Sequence, residues 1–175
     1  ERGLFVQADI PAVIKQKVIP QADILTPNHF ELELLTGQKI KTLNDALHAC
    51  QEVRSWLHPR GPKIVLLTSL LRKDAPPDSI ETLVMNGLEA WLVSTPYIPL
   101  KPSPSGTGDV MAALFLGHYL KTGSISVSLE NTVSALYNLL LLTYQNQSRE
   151  IQLIAAQDMF INPSQRFKAQ KVDFV

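Results

Sequence analysis

Ala22-Asp23-Ile24-Leu25-Thr26-Pro27-Asn28 runs straight into His29-Phe30-Glu31-Leu32-Glu33-Leu34-Leu35-Thr36-Gly37. The first four residues form a short, largely apolar run, and Thr26-Pro27-Asn28 ends it with turn chemistry. A buried strand delivering a turn is therefore predicted. A helix carrying Phe30, Leu32, Leu34 and Leu35 follows and stops at Gly37, since glycine closes a helix most easily. Strand, turn, helix is the unit from which α/β folds are built.

The same alternation continues outward. Leu4-Phe5-Val6 reads as strand-like, and Pro11 starts a short helix over 11–19 through Val13, Ile14, Val18 and Ile19. Downstream, Thr42 followed by Asp45 resembles a capping box opening a helix through Ala46, Leu47, Ala49, Val53 and Leu57, which ends before Pro59. Lys63-Ile64-Val65-Leu66-Leu67-Thr68 is a continuous apolar strand of the kind covered on both faces. Thr82–Met85 and Leu88–Val93 flank Asn86-Gly87, a hairpin signal. Helices over Asp109–Leu120, about Val127–Tyr144 and about Ser148–Met159 complete the chain. The prediction is an α/β fold with a mainly parallel sheet and flanking helices. In such sheets ligands sit beyond the carboxyl ends of strands, and both Thr26-Pro27-Asn28 and Thr68-Ser69 fall at such ends.

Ser105-Gly106-Thr107-Gly108-Asp109 leads into Val110-Met111-Ala112-Ala113-Leu114-Phe115-Leu116. Two glycines let the backbone turn tightly so that successive N–H groups converge, and the following helix adds its unpaired amides and positive dipole end. That arrangement suits an anion. Asp109 repels a phosphate, so its use there would be to take or orient the proton of an attacking hydroxyl. A plain capped helix start fits the same residues. The motif lacks the Gly-Lys-Ser/Thr of a P-loop and the third glycine of a dinucleotide fingerprint. Asn28 and Glu31 likewise admit two compatible readings: a capping box, or oxygen donors beside a hydrated Mg²⁺ and a nucleotide's phosphates.

Composition narrows the field. The 175 residues fit one domain or part of one, and 45% apolar residues suffice for an ordinary core. Sixteen basic residues balance sixteen acidic ones, so no field directs the chain to nucleic acid. The loose basic group Arg166, Lys168 and Lys171 reads as a solvated tail. Cys50, the sole cysteine, cannot form an internal disulfide and fits a reducing compartment. The apolar run Leu139–Leu142 is too short to span a bilayer and reads as core or as a dimer-facing surface. A cytoplasmic protein is expected. His29, His48, His58 and His118 form no ligand cluster, and Trp56 and Trp91 read as core anchors.

Asn28-His29-Phe30-Glu31 at a strand end, with Gly106-Thr107-Gly108-Asp109 heading a helix far downstream, resembles the ribokinase-like superfamily of ATP-dependent kinases. Within it, Ala22 to Asn28, Phe30-Glu31, Leu34-Leu35-Thr36-Gly37, Val65-Leu66-Leu67-Thr68-Ser69 and Asn131-Thr132-Val133-Ser134-Ala135-Leu136 resemble the pyridoxal kinases. The resemblance runs from Leu4 to Val172 and is to the family's carboxy-terminal part. It implies a three-layer ribokinase-like fold without its amino-terminal part, residues 1–175 being the ATP-binding and catalytic portion of one kinase domain. It implies transfer of phosphate from ATP, with Mg²⁺ and a monovalent cation as possible requirements, to the 5′-hydroxymethyl of pyridoxal or a related vitamin B6 form.

Residue by residue, Asp109 matches the family's base, Gly106, Thr107 and Gly108 its anion hole, Asn28 and Glu31 its metal-and-phosphate motif, and Thr68 and Ser69 residues beside the ATP phosphates. A homodimer is implied too. Hydroxymethylpyrimidine kinases of the superfamily typically carry Cys where this chain has Asp109, which argues against that branch. Another ribokinase-like kinase remains an alternative, for a hydroxymethylpyrimidine or a sugar. So does a non-catalytic nucleotide-binding remnant, because the opening Glu-Arg-Gly and the early strand-like stretch are expected of a chain beginning mid-domain. No residue is assigned to the adenine.

Overall fold

A computed structural model describes residues 9–174; the strand-like stretch Leu4-Phe5-Val6 lies outside them. Helical turns come first, α1 over Ile10–Val13, a wider turn over Ile14–Val18 and a tight one over Ile19–Gln21, where one short helix was predicted. β1 (Ile24–Leu25) leads to α2 (His29–Thr36) and α3 (Leu43–Ser55). β2 (Ile64–Leu70), β3 (Ser79–Met85) and β4 (Ala90–Pro96) follow, then α4 (Thr107–Thr122), α5 (Ile125–Gln145) and β5 (Gln170–Val172).

The helix boundaries have local causes. Thr42 Oγ1 accepts the Asp45 N–H at 3.2 Å while Asp45 Oδ2 accepts the Thr42 N–H at 2.9 Å, the expected capping box. Gly37 and Gly123 end α2 and α4 with φ of 72° and 66°, the left-handed region open to glycine.

The strand order is β1-β2-β3-β4-β5. Only β1 and β2 run parallel, with Ile24 opposite Ile64; the other three pairings are antiparallel. The α/β architecture with flanking helices stands, but among the described residues the sheet is mixed, which corrects the expectation of a mainly parallel one. The cause is the hairpin of β3 and β4 together with β5. The hairpin turn is made by Asn86, whose Oδ1 accepts the N–H groups of Leu88 and Glu89, so the four residues 86–89 turn the chain without a left-handed glycine.

Alternation along the strands feeds two cores. Val65, Leu67, Leu83, Met85 and Leu92 pack with Leu32, Ala46, Leu47, Cys50 and Val53 of α2 and α3. Ile64, Leu66, Val84 and Val93 pack with Met111 and Phe115 of α4 and Leu129, Val133 and Leu139 of α5. Covered on both faces, β2 reads as an unbroken apolar run from Ile64 to Leu67. Cys50 is fully buried, and burial pushes its thiol far above the usual range, an inert core thiol. By length and composition alone α5 could cross a membrane, with mean hydropathy 1.3, yet 56% of that window is buried in the fold. It is the central helix of the second core.

Two predicted features fail. No helix spans Ser148–Met159; only Gln157–Phe160 makes a tight helical turn. The Ser148 hydroxyl accepts the Glu150 N–H, and the Gln152 N–H is drawn to Thr143 Oγ1, side-chain bonds that compete with the helical ladder. Nor is the end of the chain a solvated tail. It forms β5 against β4, and Lys168 Nζ lies 2.9 Å from Glu130 Oε2.

A buried ion pair fixes the far end of β2. Arg72 donates to both carboxylate oxygens of Glu81 on β3, at 2.6 and 3.0 Å, and to Asp74 at 3.0 Å. Burial alone would lower the guanidinium's pKa, but hydrogen bonds and charge from Glu81 and Asp74 outweigh it and hold it above its ordinary value. Glu81 is the more enclosed partner, at 1% side-chain exposure. Arg72→Met strands that carboxylate and is expected to cost about 3–5 kcal/mol in chemical denaturation. Asp74→Ala, at an exposed rim, is expected to cost under about 1 kcal/mol.

Candidate active site

The parallel pairing of β1 with β2 extends past β1 as a bridge between Asn28 and Thr68 of β2. The Thr68 N–H donates to Pro27 O at 2.9 Å. Two carboxyl strand ends therefore lie side by side, and the turns leaving them open into one cleft of about 550 Å³.

Asn28 is the N-cap of α2. Its Oδ1 accepts the Glu31 N–H at 2.9 Å, and Glu31 Oε2 accepts the Asn28 N–H at 2.9 Å. The capping box is present, and both residues also line the cleft. One carboxylate oxygen serves the cap, and a carboxylate has lone pairs to spare. Thr68 and Ser69 line the cleft beside them. Ser69 holds φ of 53° within a bulge between Leu67 and Leu70.

From the other side comes the start of α4. Gly106 is its N-cap, with φ of 86° and no side-chain cap. By contrast α2, α3 and α5 are each capped by a side-chain oxygen, from Asn28, Thr42 and Ser124. The first-turn residues Thr107, Gly108 and Asp109 line the cleft, whereas Gly106, also expected in the anion hole, is not among the lining residues. A methyl group on Gly108 would meet no atom within 4 Å, while one on Gly106 would come within 3.4 Å of Ile151. The Gly108 position is open to an incoming group. Asp109 is exposed there.

Thr26, of the strand-end turn expected to face a ligand, lines the cleft, as do Thr82, Thr95, Tyr97 and Tyr137, which were not singled out in the sequence. Thr82 shares a sheet face with Val84, and Thr95 with Val93. Where the apolar row of the second core reaches the strand ends it turns polar, and that break in the pattern was the available signal. Among the described residues no three His, Cys, Asp or Glu side chains are grouped to hold a metal. None of the four histidines lines the cleft.

The arrangement combines uncapped helix amides, small hydroxyl side chains, two carboxylates and an apolar wall from Val133, Leu136 and Leu140. It can take an anionic group with an apolar ring attached, and it sets a carboxylate beside the anion. The phosphomethylpyrimidine kinase family model matches residues 2–150. A pyridoxal kinase of Deinococcus radiodurans is 56% identical over 172 residues, covering 98% of this chain and 58% of the relative. One of Leifsonia xyli subsp. xyli is 41% identical over 170 residues, covering 97% and 58%.

In three dimensions the chain resembles the pyridoxal kinase from Leishmania donovani in complex with ADP and pyridoxine. The TM-score is 0.84 at 20% identity, covering 98% of this chain and 58% of that one. A protein from Bacteroides thetaiotaomicron described as a putative phosphomethylpyrimidine kinase aligns with TM-score 0.74 at 20% identity, covering 94% of this chain and 55% of that one. The chain thus spans less than three fifths of the length of the relatives it matches. With the kinase fold on one side and the family model across most of its length on the other, this chain belongs to the phosphomethylpyrimidine kinase family.

Proposed function

We propose that residues 1–175 are the ATP-binding and catalytic portion of a pyridoxal kinase, which moves the γ-phosphoryl group of ATP to the 5′-hydroxymethyl of a vitamin B6 form. The observation that carries this reading is that Asn28, Glu31, Thr68 and Ser69 share one cleft with Thr107, Gly108 and Asp109. Similarity to pyridoxal kinases over nearly the whole chain supports it.

The chemistry follows from the geometry. The first-turn amides of α4 would hold the triphosphate, with Gly108 allowing close approach and Gly106 setting the turn. Val133, Leu136 and Leu140 offer an apolar wall to the purine. The vitamer's hydroxyl oxygen bonds to the γ-phosphorus as the bond from phosphorus to the β–γ bridging oxygen breaks, and ADP departs. Asp109 receives the hydroxyl proton. In a loose phosphoryl transition state, positioning and charge stabilisation supply most of the catalysis, so late proton transfer to a carboxylate suffices.

The described lining holds two carboxylates, Glu31 and Asp109, and no Lys or Arg. A triphosphate entering it needs a cation of its own. Mg²⁺, which uses one or two carboxylates beside phosphate and water ligands, fits Glu31 and would neutralise charge on the transferring group. By the same resemblance the enzyme is a homodimer, which sedimentation of the full-length protein tests.

A second reading follows from the family's own description: phosphorylation of a hydroxymethylpyrimidine. Asp109, where those kinases typically carry Cys, argues against it. ATP consumption over a panel of B6 vitamers, hydroxymethylpyrimidine and sugars decides between them. No consumption with any of them leaves the non-catalytic nucleotide binder.

Three substitutions test the roles in the full-length protein. Asp109→Ala is expected to lower kcat by about 10²- to 10⁴-fold while nucleotide still binds; near-normal turnover would remove Asp109 as the base. Gly108→Ala has room for its methyl, so its stability should match wild type while its KM for ATP rises. Gly106→Ala forces a side chain into a left-handed conformation and is expected to cost about 1–2 kcal/mol in thermal unfolding.

A further inference from the structure

His29 stands between Asn28 and Glu31 in sequence, yet it does not line the cleft. Its ring reaches the other way. The Leu71 N–H donates to His29 Nδ1 at 3.2 Å, which places the ring proton of the neutral imidazole on Nε2. That nitrogen lies 3.6 Å from Glu33 Oε1. Glu33 is itself fixed by Lys39 Nζ at 2.7 Å and by the Ile40 N–H at 2.9 Å. The imidazole is thus fixed by one hydrogen bond at Nδ1, with the Glu33 carboxylate near its other nitrogen but beyond hydrogen-bond distance.

Leu71 lies two residues beyond Ser69. A left-handed serine is strained and persists only where its surroundings fix it. On the β3 side those surroundings are the ladder pairs of Leu67 with Leu83 and Leu70 with Glu81, and the Arg72–Glu81 pair. On the α2 side two bonds bracket Ser69: Thr68 N–H to Pro27 O, and Leu71 N–H to His29 Nδ1. The second ties the Ser69 turn directly to the helical turn that carries Asn28 and Glu31.

We propose that His29 is a positioning residue whose Nδ1 holds the Ser69 turn at a fixed separation from Asn28 and Glu31, and so sets the shape of the phosphate end of the cleft. The inference rests on the cleft's being a nucleotide site. A leucine at this position keeps the bulk and loses the acceptor, whereas an asparagine presents Oδ1 close to where Nδ1 stood. The two variants therefore separate the hydrogen bond from mere packing.

The test uses the full-length protein, with amide exchange at Leu71, calorimetric binding of MgADP, and steady-state kinetics. In His29→Leu the Leu71 amide should exchange about tenfold faster and MgADP should bind about fivefold more weakly, the scale of one lost hydrogen bond. KM for ATP should rise while KM for the vitamer stays unchanged. His29→Asn should bring each value back to within about twofold of wild type. Wild-type MgADP affinity in His29→Leu overturns the proposal, as does an asparagine variant as impaired as the leucine one. Wild-type protein that binds MgADP but phosphorylates no B6 vitamer sinks the pyridoxal reading alone, because exchange and MgADP binding still decide the role of His29. Wild-type protein that binds no MgADP overturns both.

Discussion

The bridge between Asn28 and Thr68 is the constraint on which the site depends. β1 contributes only Ile24 and Leu25 to the sheet, too little to set the direction of the chain that leaves it. The pairing survives one step further because Thr68 N–H reaches Pro27 O, and Pro27 has no donor that would have to be satisfied in return. Asn28 is thereby held at a carboxyl strand end in an extended conformation, with ψ of 174°, which is what an N-cap requires. Its side chain then starts α2, and α2 brings Glu31 to the cleft that Thr68 and Ser69 of β2 also line. A short parallel register thus becomes a fixed relation between two elements that are forty residues apart in sequence.

Much of this was legible in the residues. Asn28 and Glu31 are spaced as a capping box, and the box forms. Because the strand-like run Ala22–Leu25 directly precedes this box, the same spacing placed both side chains near the mouth of the sheet. The apolar run from Ile64 to Leu67 gave a strand covered on both faces, and its residues alternate between the two cores. Gly106-Thr107-Gly108-Asp109 gave a helix start, and the left-handed Gly106 begins α4 without a side-chain cap.

What was not legible depends on partners remote in sequence. The direction of β3, β4 and β5 relative to β1 is a property of connections, and an apolar run reads alike in a parallel or an antiparallel sheet. Gln170–Val172 has no apolar pattern of its own and is a strand only because β4 offers it an edge at Ala90 to Leu92. Over Ser148–Met159 the helical periodicity was real, but Thr143 and Ser148 offered nearer partners to the backbone. Thr82 and Thr95 are mostly buried, and propensity alone cannot distinguish a β-branched hydroxyl residue on a cleft floor from one in a core.

The bulge at Ser69 shows how the core and the cleft are reconciled within one strand. Val65 and Leu67 face α2 and α3, so strict alternation would next send Ser69 to that core and turn Leu70 away from it. Instead Leu70 joins Val65 and Leu67 in the first core, fully buried, while Ser69 is exposed at the cleft. One extra residue has shifted the phase of the strand. The left-handed serine costs about 1–2 kcal/mol, and burying a leucine returns about 1.5–3 kcal/mol. The two are close enough that the strain is tolerated without the Ser69 side chain contributing any packing of its own. Ser69 can therefore stand over the cleft because Leu70 anchors the strand beneath it, and the ties from Thr68 and Leu71 to α2 decide how far from Asn28 and Glu31 it stands.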